Sequence, residues 1–238
     1  HPTSFADSSV RDAPAKGLAA MLNTKLPWAA LARGDYDTLI TGFWQSWPTS
    51  VPGWVTVNHE PENDAVRDDG TVIPAKPTDP EYVAWADANA PTWCDGVRRY
   101  IALAAPIIRS RGLSVRVGGV LMDFSWDTNR WEWWRWWEGI AGIDKPQVTF
   151  GIDAYWKHIA VTGGGYRGAD PKPKIETLLK VMRSAGIGSF SLWETAIDRR
   201  LRGDKTNLVV GTQETCATWW AAYRDYLDTI PEMDAVAY

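Results

Sequence analysis

This chain is poor in the residues that most often carry metal or thiol chemistry. Only three histidines (His1, His59 and His158) and two cysteines stand among its 238 residues. No His/Asp/Glu set recurs at ligand spacing, so the sequence points to no catalytic metal and no cofactor. Cys94 and Cys216 fall on two predicted helices far apart in the chain, and free, partly buried thiols are expected rather than a disulfide. No apolar run approaches the roughly 20 residues of a membrane span. There is no basic block, and the net charge is −4; both argue against a nucleic-acid partner and suit a neutral ligand. The nucleophile-elbow pattern Gly-x-Ser-x-Gly is missing, which excludes an esterase of that type. Gly163-Gly164-Gly165 lacks the Lys-Ser/Thr that would make it a phosphate loop. With no internal repeat and no low-complexity linker, residues 1–238 read as one domain.

What the chain has in excess is tryptophan: 16, against 8 tyrosines and 5 phenylalanines. Packing accounts for most of them. In the run Arg130–Trp137, for example, helical spacing sets Trp133, Trp136 and Trp137 against the body of the protein. The remainder are candidates to line a groove and stack on sugar rings.

Along the chain, apolar runs alternate with amphipathic stretches, the order expected of parallel βα units. Strands are expected at His1–Phe5, Leu18–Asn23, Trp54–Glu60, Val115–Phe124, Gln147–Tyr155, Ser189–Glu194 and Met233–Tyr238. Helices are expected at Tyr36–Trp47, Glu81–Gly112 (broken at Pro91 and Pro106), Arg130–Gly139, Lys174–Ala185 and Thr215–Thr229. Seven strands, the first at residue 1 and the last at the final residue, fit a (β/α)8 TIM barrel lacking its first strand and last helix. The loop Asn63–Pro80, rich in Asp, Gly and Pro, would shape substrate choice.

Two glutamates, 134 positions apart, each close a strand-like run. Glu60 ends Trp54-Val-Thr-Val-Asn-His59-Glu60, and Glu194 ends Ser189-Phe-Ser-Leu-Trp193-Glu194. Cleaving a glycosidic bond needs one carboxyl that holds a proton for the leaving oxygen and another that faces the anomeric carbon as an anion. Competing readings make Glu60 a surface ion-pair member, make Glu194 a partner of Arg199 or Arg200, and give the acid role to Glu62. His59 has a structural alternative as a buried histidine that supports the strand end, and His158 reads as an exposed loop residue.

The segment Arg33-Gly34-Asp35-Tyr36-Asp37, a following helix and a strand ending His59-Glu60 resemble glycoside hydrolase family 26. The likeness extends over nearly the whole chain and is nearest to bacterial, actinobacterial-type members with His-Glu-Pro-Glu at this strand end. It implies a retaining glycosidase in which Glu60 is the acid/base and Glu194 the nucleophile. It also implies that His59 contacts substrate or orients a carboxylate, and that Tyr155 holds the nucleophile. In the Gly151–Trp156 segment Asp153 would bind sugar hydroxyls, with Trp156 beside it; Trp126 and Trp193 would form a sugar platform. The chain departs from the family at Pro61-Glu62-Asn63 and at Glu194-Thr195-Ala196, which leaves the sugar open among β-mannan, β-glucan and β-xylan. The expected partner is a polysaccharide or oligosaccharide bound by a monomer. No signal peptide stands in the chain, but His1 in place of a methionine leaves room for one removed or left out, so an extracellular setting is expected, secreted or on a cell or virion surface. The alternative function is a non-catalytic carbohydrate-binding or structural barrel module of a phage or cell-surface protein. An inverting hydrolase on the same scaffold would hold its carboxyls further apart, roughly 6.5–9.5 Å against 5–5.5 Å.

Overall fold

The computed structural model describes residues 14–16, 19–75, 78–122, 135–136, 147–154, 157–160, 166–169, 171–194 and 221–236. Six parallel strands form one sheet: β1 (Ala20–Thr24), β2 (Gly53–Val57), β3 (Val115–Met122), β4 (Val148–Asp153), β7 (Phe190–Glu194) and β8 (Met233–Val236), in that spatial order. Every described residue of β4 is buried, as expected where a parallel sheet is covered on both faces. The expected strand at His1–Phe5 lies outside the described residues.

Between β4 and the next helix comes an antiparallel hairpin that the sequence reading missed, β5 (Lys157–Ala160) with β6 (Tyr166–Ala169). His158, expected in a loop, belongs to β5. The Gly163–Gly165 segment falls between the two strands, and that spacing was the available clue.

The sheet curls strongly. β3 and β8 are three strand spacings apart, roughly 14 Å along a flat sheet, yet Arg116 Nε of β3 reaches Asp234 Oδ2 of β8 at 3.1 Å. Ser189 Oγ, just before β7, also donates to Asp234. These side chains therefore point inward from a concave wall and close the end of the barrel where the strands begin.

Helices α1 (Trp28–Arg33), α2 (Asp37–Ser46), α3 (Pro80–Ser110) and α4 (Lys172–Ala185) cover the outside. Residues 221–227 are helical as well. α3 runs unbroken through Pro91 and Pro106, contrary to the expected breaks. Both prolines are on its exposed side, as are Asp87 and Ala102, whose carbonyls lose their helical partners. Those carbonyls lie on the solvent side, and the opposite face, with Trp93, Val97, Tyr100 and Ile101 buried, holds the helix to the sheet.

The Gly34–Asp37 motif has a structural task. Gly34 ends α1 at φ 94°, a left-handed conformation that favours glycine, and a Cβ there would overlap the Arg99 guanidinium. That guanidinium, from α3, grips Asp37 through two hydrogen bonds of 2.7 and 2.6 Å. Cys94 is buried and in no disulfide, its Sγ donating to the Arg135 and Trp136 carbonyls, and Trp136 is fully buried as expected. Cys216 and the other tryptophans of the Arg130–Trp137 run lie outside the described residues. Among the described residues, no helix is long and apolar enough to cross a membrane.

Candidate active site

Strand register and a turn beyond β2 place the acidic residues at the barrel mouth. β2 pairs with β3 as far as Thr56 and Gly118, and beyond it the Glu60 N–H bonds to Val120 O, which sets Glu60 beside the end of β3. Met122 pairs with Asp153, and Asp153 with Glu194. The last pairing depends on an irregularity: Ile152 opposes Leu192 but Asp153 opposes Glu194, leaving Trp193 as the extra residue of a bulge.

β2 itself stops at Val57, three residues earlier than the alternating pattern suggests. Asn58 and Glu60 then adopt left-handed conformations, φ 50° and 52°, which cost of order 1–3 kcal/mol each away from glycine. Neighbours enforce them. Asn58 accepts from Leu26 N at 2.6 Å and donates to Leu26 O at 2.8 Å, tying the exit of β2 to that of β1. Trp93 Nε1 donates to the Asn58 carbonyl, and Glu60 N donates to Val120 O of β3 at 3.1 Å.

This turn delivers His59 and Glu60 to Asp153. His59 Nε2 meets Asp153 Oδ2, and a carboxyl oxygen of Glu60 lies within 4.8 Å of both groups. Two carboxyls this close repel each other when both are ionised, which favours one proton shared between them. Burial first, and then the neighbouring Asp153 carboxyl, push Glu60 up from its usual 4.5 to about 7. His59 and the Asn63 amide, which donates to Glu60 Oε2 at 3.1 Å, oppose that rise. Glu60 is thus a carboxyl that keeps its proton to near neutrality while remaining partly open to solvent.

Two expectations change. Asp153, expected to bind sugar hydroxyls, is fully buried, and its carboxylate faces His59 and Glu60 instead. Glu62, the rival acid, is fully buried too, and its Oε1 accepts the Met122 backbone N–H at 2.6 Å. It pins the turn to the end of β3. Its carbonyl also accepts from Tyr82 of α3.

Trp126, Tyr155 and Trp156 lie outside the described residues, as do the side chains of Trp193 and Glu194, whose backbone ends β7. Sequence reasoning missed Asn58 and Asn63. The only signal was residue type, since asparagine tolerates the left-handed conformation better than most.

His59, Glu60 and Asp153 each offer one ligand atom within 4.8 Å of the others, so this trio is the one group among the described residues arranged to hold a metal ion. The sequence did not show it because Asp153 lies far downstream. A divalent cation there would take the place of the shared proton.

No family model matches the chain, and no curated protein matches it. Solved structures do. The family 1 glycoside hydrolase of Thermotoga maritima, described as complexed with a cyclophellitol analogue transition-state mimic, matches at TM-score 0.52 and 11% identity, over 96% of this chain and 66% of that one. The β-glycosidase BGL167 matches at 0.51 and 12%, over 95% and 64%. The AHE enzyme from Alicyclobacillus herbarius matches at 0.50 and 12%, over 95% and 66%. The chain thus spans about two thirds of the length of these structures. At such identity the likeness is one of fold: the protein has the TIM-barrel architecture of these glycosidases.

Proposed function

We propose that this barrel is a retaining glycoside hydrolase of family 26 type, acting on β-linked polysaccharide of the mannan or glucan kind. Glu60 protonates the leaving glycosidic oxygen while Glu194 attacks the anomeric carbon, forming a covalent glycosyl–enzyme. Glu60, now ionised, then takes a proton from the water that hydrolyses it. Asp153 and His59 hold the acid in place and keep its proton available. No cofactor enters these steps.

The observation that carries this reading is the meeting of Glu60 with His59 and Asp153 at the barrel mouth, where burial and Asp153 push the Glu60 carboxyl up to about 7. Sheet curvature supports the second carboxylate. Glu60 follows β2 and Glu194 ends β7, three strand spacings apart, the same interval across which Arg116 and Asp234 meet at the other end of the barrel.

The test is hydrolysis of soluble glucomannan and of aryl β-glycosides, with the first-formed anomer read by proton NMR. Release of the β-anomer is expected. Glu194→Ala should abolish turnover with its circular dichroism unchanged, and Glu60→Ala should regain rate on activated aryl glycosides when azide is supplied. First release of the α-anomer, or normal activity in Glu194→Ala, would remove the double-displacement mechanism.

A further inference from the structure

A cleft opens beside the segment that follows the Glu60 turn. It has a volume of about 440 Å³ and lies between the start of α1 and the first half of α3. That volume is within the 300–1,000 Å³ common for small-ligand sites. Its apolar wall is Trp28 and Trp85, both half-buried, with rings in edge contact at 5.8 Å. Its polar edge is Asp64, Asn89 and Thr92. Asn89 is fixed, its amide donating to the Trp85 carbonyl at 2.8 Å. Asp64 pairs with Lys25 at 2.7 Å, so the edge presents dipoles and no net charge. Val66, 47% exposed, forms the rim. The segment bearing it is braced by Arg67, which clasps Glu81 at 2.5 and 2.6 Å.

We propose that this cleft binds a neutral pyranose unit of the same glycan chain that Glu60 acts on, as a distal sugar-binding position. An aromatic wall with hydroxyl, amide and carboxylate groups beside it matches a sugar ring: apolar C–H face on one side, hydroxyls at the edge. Among the described residues that line the cleft, the one charged side chain, Asp64, is already paired with Lys25. The cleft is also continuous with the catalytic turn. Asp64 is four residues beyond Glu60, along a 3₁₀ turn (Pro61–Asn63) whose rise is roughly 2 Å per residue, about 8 Å in all. A chain held in the cleft therefore reaches Glu60 within a few sugar units. The inference rests on the glycosidase reading above and narrows its substrate to an oligomer or polymer.

Affinity electrophoresis through gels containing soluble glucomannan, run on the Glu194→Gln protein, tests it without turnover. Retardation is expected, and Trp85→Ala in that background should lose most of it. Trp85 also packs against Tyr82 and Trp136, so the double change Asn89→Ala/Thr92→Val, on a partly exposed helix face, provides a second variant. It should weaken retardation at least five-fold. In the Glu194-bearing enzyme, the same double change should lower the ratio of kcat/KM on a six-unit oligosaccharide to that on an aryl monoglycoside by ten-fold or more. No retardation, or retardation and a kcat/KM ratio that the double change leaves within two-fold, overturns the inference while hydrolysis of aryl glycosides keeps the glycosidase reading. Retardation lost in both variants, with no hydrolysis by the unaltered protein, keeps the cleft and removes the enzyme.

Discussion

Removing the Glu60 carboxyl changes how the stability of the fold depends on pH, by an amount that follows from its surroundings. Glu60 titrates near 7 in the folded chain against 4.5 unfolded. A raised carboxyl pKa means that the folded state favours the neutral acid. Its contribution is fully present below pH 4.5 and is lost as pH rises through 7. At about 1.36 kcal/mol per pH unit the full displacement corresponds to about 3.4 kcal/mol. Glu60 is partly exposed, and solvent screening lowers this to about 1–2 kcal/mol. Urea unfolding at pH 5 and pH 8, at one ionic strength, reads it directly. Wild type should be less stable at pH 8 than at pH 5 by that amount, and Glu60→Gln should remove the difference. Asp37 and Glu232, whose carboxyls are held below their usual range by Arg99 and Arg183, behave oppositely. Their contributions disappear only as pH falls below the ordinary carboxylate values, outside this window. If Glu60→Gln retains the wild-type difference to within about 0.5 kcal/mol, the shared-proton account of this site is wrong.

Asp153→Asn removes the charge beside Glu60 but leaves its burial, the larger cause of the rise; the alkaline limb of kcat/KM on an aryl β-glycoside should move to lower pH by about 1 unit. Glu62→Ala leaves the Met122 N–H without its acceptor and opens a void under the turn, at a cost of about 2–3 kcal/mol in urea unfolding, with Glu62→Gln costing less because an acceptor remains. Gly34→Ala forces a side chain into a left-handed conformation and against Arg99; a loss of at least about 1–2 kcal/mol is expected in thermal unfolding.

Much of the fold was open to reading from the chain, because parallel strands buried on both faces write themselves as apolar runs. β3 and β4 came out within two residues of their observed ends, and α2 within one. The misses share a cause: local rules gave way to packing. Pro91 and Pro106 are ordinary helix breakers, but α3 buries so much of its inner face that losing two hydrogen bonds on the wet side does not interrupt it. The β5–β6 hairpin was hidden because its strands are four residues each, too short for an alternating pattern to stand out.

The site shows the same division. That Glu194 ends a strand and that Glu60 closely follows one was legible in sequence; the turn that carries Glu60 beyond the end of β2 was not. Alternation from Trp54 onward predicts an extended Glu60; the left-handed turns at Asn58 and Glu60 replace that extension, and Glu60 N bonds to Val120 O of β3. On the other side of Asp153, a regular ladder would have set Trp193 opposite it, and the irregularity after Ile152 sets Glu194 there instead. Each departure costs backbone energy or a ladder bond, and each sets a carboxyl-bearing residue beside Asp153. Strain concentrated at the two strand ends that carry the acidic residues is what a site, rather than a barrel rim, requires. Relieving it is therefore a sharper probe of function than deleting a charge. Asn58→Gly, which keeps the conformation but loses both Leu26 bonds, should lower kcat on aryl glycosides by ten-fold or more while costing about 1–2 kcal/mol of stability. If kcat stays within two-fold of wild type, the clamp between β1 and β2 does not position Glu60.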